Sequence, residues 1–318
     1  MRSVIVLLGL CVSIVCSAAS PPTRHFLDDT QRDVVIPQQP LRIVSLHDLD
    51  ITIPLLELGI MPVGSHGRIS AQGKPYLRSA KRLTGLDFDN TAIQYLGTAD
   101  INLEKIAALH PDLIITEPSR TTDLQQLQKI APTVSLDNRQ GGPVRLYQRL
   151  ADLTHTEAKY QQLVSRYQAD IAELKRLRGE QKVTVSVLQA NNGKVNILHT
   201  YHALGQVLRD AGFSFPKLID QLPEAGRANL NAEQLPALDA DIVFDTWRGD
   251  GDFTALDERK AMDAVLPGWC QFMQACQRGH WVMVAREDAI VNSFASLSKM
   301  VAVVETSLSG MTLPSANH

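Results

Sequence analysis

Ile101-Asn102-Leu103-Glu104-Lys105-Ile106-Ala107-Ala108-Leu109-His110-Pro111-Asp112-Leu113-Ile114-Ile115 and Leu230-Asn231-Ala232-Glu233-Gln234-Leu235-Pro236-Ala237-Leu238-Asp239-Ala240-Asp241-Ile242-Val243-Phe244 repeat each other at a constant offset of 129 residues. Each opens on an Asn suited to cap a helix, runs two helical turns, breaks, and enters a short apolar strand directly after an Asp. A helix leading so closely into a buried strand is half of a parallel βαβ unit, since only parallel neighbours need a helical crossover. One copy in each half of the chain indicates duplication of an α/β unit.

Further strands are expected at Arg42–Leu46, Met61–Ser65, Thr133–Leu136, Val183–Leu188, Val195–His199 and Trp281–Val284, each short, β-branched and followed by a turn or a helical pattern. Strand and helix alternate through both halves, so the expected class is α/β: two Rossmann-like lobes with largely parallel sheets covered on both faces. Between the repeats lies the longest helical pattern, with Tyr160, Leu163, Val164, Tyr167, Ile171, Leu174 and Leu177 at spacings of three and four. Thr154 and Glu157 read as a capping box at its start, and Arg178-Gly179 as its end. About 23 helical residues rise roughly 35 Å, so this helix is expected to join the lobes as a stiff strut. The expected division is a leader at 1–19, an N-terminal lobe at 20–154, a linker helix at 155–178 and a C-terminal lobe at 179–318.

The leader is read from Arg2, the apolar run Val4–Cys16 and the small residues Ser17, Ala18, Ala19 and Ser20. This run is short of the roughly 20 residues of a spanning helix, and cleavage after Ala19 would release a soluble chain into the periplasm. Lipidation is not expected, because Leu10 precedes Cys11 and Val15 precedes Cys16. Without Arg2, the 31 Lys and Arg become 30 against 34 Asp and Glu. Such a balance offers no field for nucleic acid or anionic lipid, so any cationic site must be local. The remaining Cys270 and Cys276, six positions apart, are most simply a disulfide in an oxidising compartment.

On these features the chain resembles the class III periplasmic binding proteins, which carry iron siderophores, haem or cobalamin. The resemblance rests on Arg42-Ile43-Val44-Ser45-Leu46, on Leu58-Gly59-Ile60-Met61-Pro62-Val63-Gly64, and on Asn102 through Ile114. Asn196-Ile197-Leu198-His199-Thr200, continuing through Gly205, Val207-Leu208, Ala211-Gly212-Phe213 and Pro216, is similar to the ferric-citrate and ferric-siderophore branch. The resemblance implies an iron(III) chelate held between two lobes, no permanently bound cofactor, and a monomer that delivers its cargo to the permease dimer of an ABC importer in the inner membrane. It also implies one docking carboxylate on each lobe, at Asp123 and, by the repeat offset, Asp252. Haem or cobalamin is the alternative cargo.

In open parallel sheets ligands bind beyond the carboxyl ends of the strands. His47 follows the first expected strand, His66 and Arg68 the second, and Arg120 the strand of the first repeat; Trp247 and Arg248 follow that of the second repeat, and Arg286 follows Trp281–Val284. Tyr76 and Arg78 form a further aromatic and cation pair in the adjoining loop. Guanidinium stays protonated and presents a planar fork to oxygen pairs, which suits an anionic citrate- or catecholate-type chelate. Trp247 would add a flat apolar wall. The histidines lack metal-motif spacing, so His47 and His66 are expected to hydrogen-bond the ligand, with no direct metal site. Neither a nucleophile elbow nor a Walker loop is present, which argues against a chelatase-like enzyme on this architecture.

Overall fold

The computed structural model describes residues 22–98, 100–249 and 253–311, so the expected leader and Asp252 lie outside the described residues. The two repeats fold by the same local rules. Asn102 caps the helix Leu103–Ala108, its side chain accepting from Lys105 N at 2.8 Å. Asp112 then accepts from Leu41 N at 2.7 Å and Arg42 N at 2.9 Å, which pins the head of the neighbouring strand Ile43–Ser45. In the second copy Asn231 and Gln234 form a reciprocal cap, and Asp241 accepts from Thr184 N and Thr184 Oγ1, both at 2.7 Å, at the head of Val185–Asn191. One difference separates the copies: Ala232–Leu238 is a 3₁₀ turn, not an α-helix. Pro236 inside it has no N–H to give to an α-helical ladder.

Two five-stranded sheets result. The first runs in the spatial order Gln94–Tyr95, Gly64–Ser65, Ile43–Ser45, Leu113–Thr116, Thr133–Ser135, with every neighbour parallel. The second runs Arg227–Leu230, Lys194–Leu198, Val185–Asn191, Ile242–Trp247, Trp281–Ala285. The repeat strands Leu113–Thr116 and Ile242–Trp247 hold the same place in their sheets. Half of the second sheet is antiparallel, because Val185–Asn191 turns straight into Lys194–Leu198. Asn192 and Gly193 both have positive φ, 50° and 69°, the two-residue turn that closes a hairpin.

Two further hairpins have weak periodicity and are absent from the sequence reading: Thr23–Leu27 with Asp33–Pro37, and Arg68–Ile69 with Pro75–Tyr76. The second turns at Gly73, φ 76°, and pairs Arg68 directly with Tyr76.

The linker helix spans Glu157–Arg178, and the expected capping box at Thr154 does not form. Thr154 is instead the last residue of the preceding helix, Gly142–Thr154, its hydroxyl donating to Leu150 O at 2.8 Å. A threonine can satisfy its hydroxyl inside a helix as readily as at a cap, and tertiary contact decides which. Tyr160, Val164, Tyr167, Ile171 and Leu174 are buried in one hydrophobic cluster that runs from Phe26 and Ile43 to Val304. The helix therefore rests on both halves at once. Opposite it packs Phe294–Ser309, with the Tyr167 and Phe294 rings 6.2 Å apart. Arg82 reaches Asp288 through two bonds of 2.6 and 2.7 Å, and Asn292 Nδ2 donates to Asp50 Oδ1 at 2.8 Å, so the halves are also tied at the surface and beside the cleft. Cys270 and Cys276 are bonded, as their spacing suggests. Among the described residues no helix is long and apolar enough to cross a membrane.

Beneath the second sheet Asp245 and Glu258 are both buried and share a hydrogen bond, with Trp281 Nε1 donating to Asp245 Oδ2 at 3.0 Å and Ala190 N to Glu258 Oε1 at 2.6 Å. Burial raises both carboxyls, Glu258 to about 7 and Asp245 well above the carboxylate range. The folded state thus holds protons that the unfolded chain releases above about pH 4.5, and the pair's stabilisation is lost as pH rises through 7. Buried His66 and His202, both lowered by burial, work in the opposite direction below pH 6.5. The isolating measurement is a difference: the melting temperature of Glu258→Gln minus that of the parent is expected to become more positive from pH 5 to pH 8. A difference independent of pH would mean that no proton is taken up there on folding.

Candidate functional site

The carboxyl ends of both sheets meet around a cavity of about 300 Å³ lined by Arg68, Tyr76, Arg78 and Ser79 from the first half and by Arg248, Arg286, Glu287 and Ile290 from the second. Four of the arginines singled out from the sequence are thus brought to one place. Each arrives by a different local route. Arg68 and Tyr76 stand paired across the small hairpin, Arg248 follows the strand ending at Trp247, and Arg286 begins the turn of helix after Ala285.

Arg78 is held by a carboxylate that sequence reasoning did not single out. Asp48 is fully buried and accepts from Arg78 Nε at 2.9 Å, from the second guanidinium nitrogen at 2.5 Å and from Arg78 N at 3.2 Å. Burial alone would raise the Asp48 carboxyl, but Arg78 and then His66 overcome it and hold it well below the usual range. His66, also fully buried, lies with Nδ1 3.2 Å from Asp48 Oδ1 and 3.3 Å from an Arg120 nitrogen. Desolvation lowers its pKa, so the ring is neutral at pH 7. Asp48, with His66 against its other side, thereby fixes the direction of the Arg78 fork behind the cavity wall. His66 and Arg120 support the wall and do not line the cavity.

His47 lies elsewhere. Its ring stacks over His66 at 6.0 Å between centroids but opens into a second cavity of about 170 Å³, shared with Asp50, Glu117, Asp137 and Arg139. Trp247 is half-buried and does not line the arginine cavity; its ring stands against Gly249, where an added Cβ would meet Cζ3 at 3.2 Å. Asp123 is an exposed N-cap of Leu124–Gln128, accepting from Gln125 N at 2.8 Å. Glu287 and Ser79 are further lining residues missed in sequence. Asp48 directly follows His47 at a strand end, a position legible in the sequence, but its pairing with Arg78 30 residues later has no local signal.

Arg286 Nε and Glu287 Oε1 are buried without hydrogen-bond partners among the described residues.

Comparisons with known proteins bear on the fold and the family. The chain is 26% identical over 251 residues to the iron(3+)-hydroxamate-binding protein FhuD of Bacillus subtilis, covering 74% of each chain. It is likewise 26% identical over 271 residues to the Fe(3+)-citrate-binding protein YfmC of the same organism, covering 77% of this chain and 80% of the relative. Among solved structures, Staphylococcus aureus SirA complexed with staphyloferrin B superimposes with a TM-score of 0.75 at 21% identity, over 90% of this chain and 99% of that one. These relatives are binding proteins, and the architecture here is a scaffold for binding in a cleft, not for catalysis. The family profile described as "Periplasmic binding protein" matches residues 67–269, which takes in the arginine hairpin, the strut and most of the second sheet, and the chain belongs to that family.

Proposed function

We propose that this chain captures an anionic ferric siderophore, of citrate or catecholate type, between its two halves in the periplasm and hands it as a monomer to the permease dimer of an ABC importer. The observation that carries this reading is the convergence of Arg68, Arg78, Arg248 and Arg286 on one cavity in a chain of net charge −3. Among the described residues Arg78 is the one of the four that makes an ion pair, with Asp48, and Glu287 adds one further carboxylate to the lining. The remaining guanidinium charge suits an oxygen-rich anion, and iron enters as cargo wrapped in that anion. The relatives' ferric-citrate and staphyloferrin ligands support the class. In this reading 1–19 is a removed leader, 20–154 and 179–318 are the two ligand-binding lobes, and the strut at 155–178 limits closure to a few degrees.

Tryptophan-fluorescence titration tests it, with Trp247 beside Arg248 as reporter. Arg248→Ala and Arg286→Ala are each expected to weaken binding of ferric citrate or a ferric catecholate by about ten- to 150-fold, or roughly 1.5–3 kcal/mol. Parental affinity in both variants, or tighter binding of a neutral ferric hydroxamate than of the anionic complexes, would overturn the charge assignment.

Delivery is assigned to Asp123 and Asp252. Asp123 faces solvent away from the cavity lining, and its reversal would set like charge against a basic permease pocket. Asp123→Arg with Asp252→Arg is expected to leave ligand affinity unchanged while cellular uptake of the iron complex falls. Equal loss of affinity in the purified double variant would place these residues in the binding site instead.

A further inference from the structure

The hairpin that brings Arg68 and Tyr76 to the arginine cavity is too short to place them by itself. Each of its strands has two residues, Arg68–Ile69 and Pro75–Tyr76, and Pro75 has no N–H to add to the ladder. An isolated two-stranded hairpin is marginal in water even when longer. Contacts from outside must therefore hold Arg68, Tyr76 and the following Arg78 against Arg248 and Arg286 across the cavity.

The turn at residues 87–90 touches both strands. On the returning strand, Asp87 Oδ1 accepts from Leu77 N at 2.7 Å, and Leu77 is the residue between Tyr76 and Arg78. Asp87 is only 7% exposed, and the same oxygen accepts from Phe88 N at 2.8 Å, so the carboxylate is held within its own turn. On the outgoing strand, the Phe88 ring lies against Gly67, the residue before Arg68. A Cβ at Gly67 would stand 2.5 Å from Phe88 Cε2 and 2.8 Å from Tyr76 O, far inside normal contact. Only glycine admits the ring and the opposite backbone this close.

The turn is itself fixed to the body of the first half. Asp87 N donates to Asn90 Oδ1 at 2.7 Å, and Asn90 Nδ2 to Gly85 O at 2.8 Å. The Phe88 ring meets Tyr95, on the edge strand of the first sheet, edge to face with centroids 5.6 Å apart. Leu77 is buried in a cluster with Leu49, Ile53, Ala80, Ile93 and Val291, and Phe88 packs against that cluster. Successive backbone N–H groups are thus taken by two buried carboxylates, Leu77 N by Asp87 and Arg78 N by Asp48 at 3.2 Å.

Neither Asp87 nor Phe88 lines the cavity. We propose that Asp87 and Phe88 are positioning residues of the binding site, clamping both strands of the hairpin and setting where Arg68, Tyr76 and Arg78 meet the ligand. This role rests on the reading of the arginine cavity as the site of an anionic ferric chelate. It makes affinity depend on two side chains that the ligand does not touch.

The test compares Asp87→Ala, Asp87→Asn and Gly67→Ala with the parent, by fluorescence titration with ferric citrate and by amide hydrogen exchange without ligand. Asp87→Asn keeps an acceptor oxygen for Leu77 N. Asp87→Ala and Gly67→Ala are each expected to weaken ferric citrate binding about tenfold with one site per chain retained, and Asp87→Asn to stay within about threefold of the parent. A merely destabilised protein would instead lose binding sites at unchanged affinity. In an Arg68→Ala background Gly67→Ala should add little, because its effect passes through Arg68. Exchange reads the clamp apart from the cargo: amides of residues 68–78 should lose protection in Asp87→Ala and keep it in Asp87→Asn, with the first sheet unchanged. Parental affinity in Asp87→Ala, or unchanged exchange across 68–78, overturns the clamp. Failure of the parent to bind ferric citrate overturns the reading of the cavity, and the exchange pattern then decides the clamp on its own.

Discussion

Asp48→Ala is expected to remove about 3–5 kcal/mol of stability, the cost of deleting one partner from a buried ion pair. Asp48 is wholly inaccessible, and its two oxygens accept from Arg78 three times and approach His66. Deleting it leaves a half-buried guanidinium and a buried imidazole facing an empty space. The Arg78 side chain, 25% exposed, can turn into the cavity and recover part of its hydration, which places the expected loss toward the lower end of the range. That same rotation should disturb ligand binding, since the direction of the Arg78 fork is set by Asp48. Urea denaturation with an unchanged slope, run beside the fluorescence titration, measures both. A stability loss under about 1 kcal/mol would place this pair with surface ion pairs, and the supporting role of Asp48 behind the Arg78 fork would then fail.

Glu57→Ala should be nearly as damaging, by about 3–4 kcal/mol, through a different cause. Glu57 ends the short helix Ile53–Glu57 in the first half, yet its carboxylate caps the last helix of the second. It accepts from Phe294 N at 3.0 Å, Ala295 N at 3.1 Å and the Tyr147 hydroxyl at 2.5 Å. Burial pushes its carboxyl up despite these bonds. Alanine strands three buried donors, each costing about 1–3 kcal/mol before the surroundings relax. Glu57→Gln keeps one acceptor oxygen and is expected to recover part of the loss. Thermal unfolding of the pair reads this directly, and equal melting temperatures for Glu57→Ala and the parent would show that water enters and replaces the carboxylate.

These two residues illustrate why buried carboxylates escape a reading of the sequence. Both are acidic side chains near the start of the chain whose partners come later: Asp48 reaches Arg78, and Glu57 reaches Phe294. Neither stands out by pattern, because a buried carboxylate has no periodic signature. The arginines were easier to find, since a cation directly after a strand is visible locally and strand ends define the ligand side of such sheets.

The sequence by itself determined the α/β class, the duplicated unit, the strut and the side of the sheets on which cations gather. Each of these follows from short-range physics: the spacing of apolar residues, an Asn able to cap three residues ahead, an Asp before a strand, two cysteines a short loop apart. Tertiary structure alone decided which strands are neighbours. It turned Arg227–Leu230 and Lys194–Leu198 antiparallel, moved Thr154 from the start of the strut to the end of the preceding helix, and set His47 on a cavity while burying His66 behind a wall although their rings stack. It also brought His47, Asp50 and Glu117 together. The physical reason is that sheet order depends on long-range burial shared across the whole core, and one exchange of neighbouring strands would redirect every side chain that follows them.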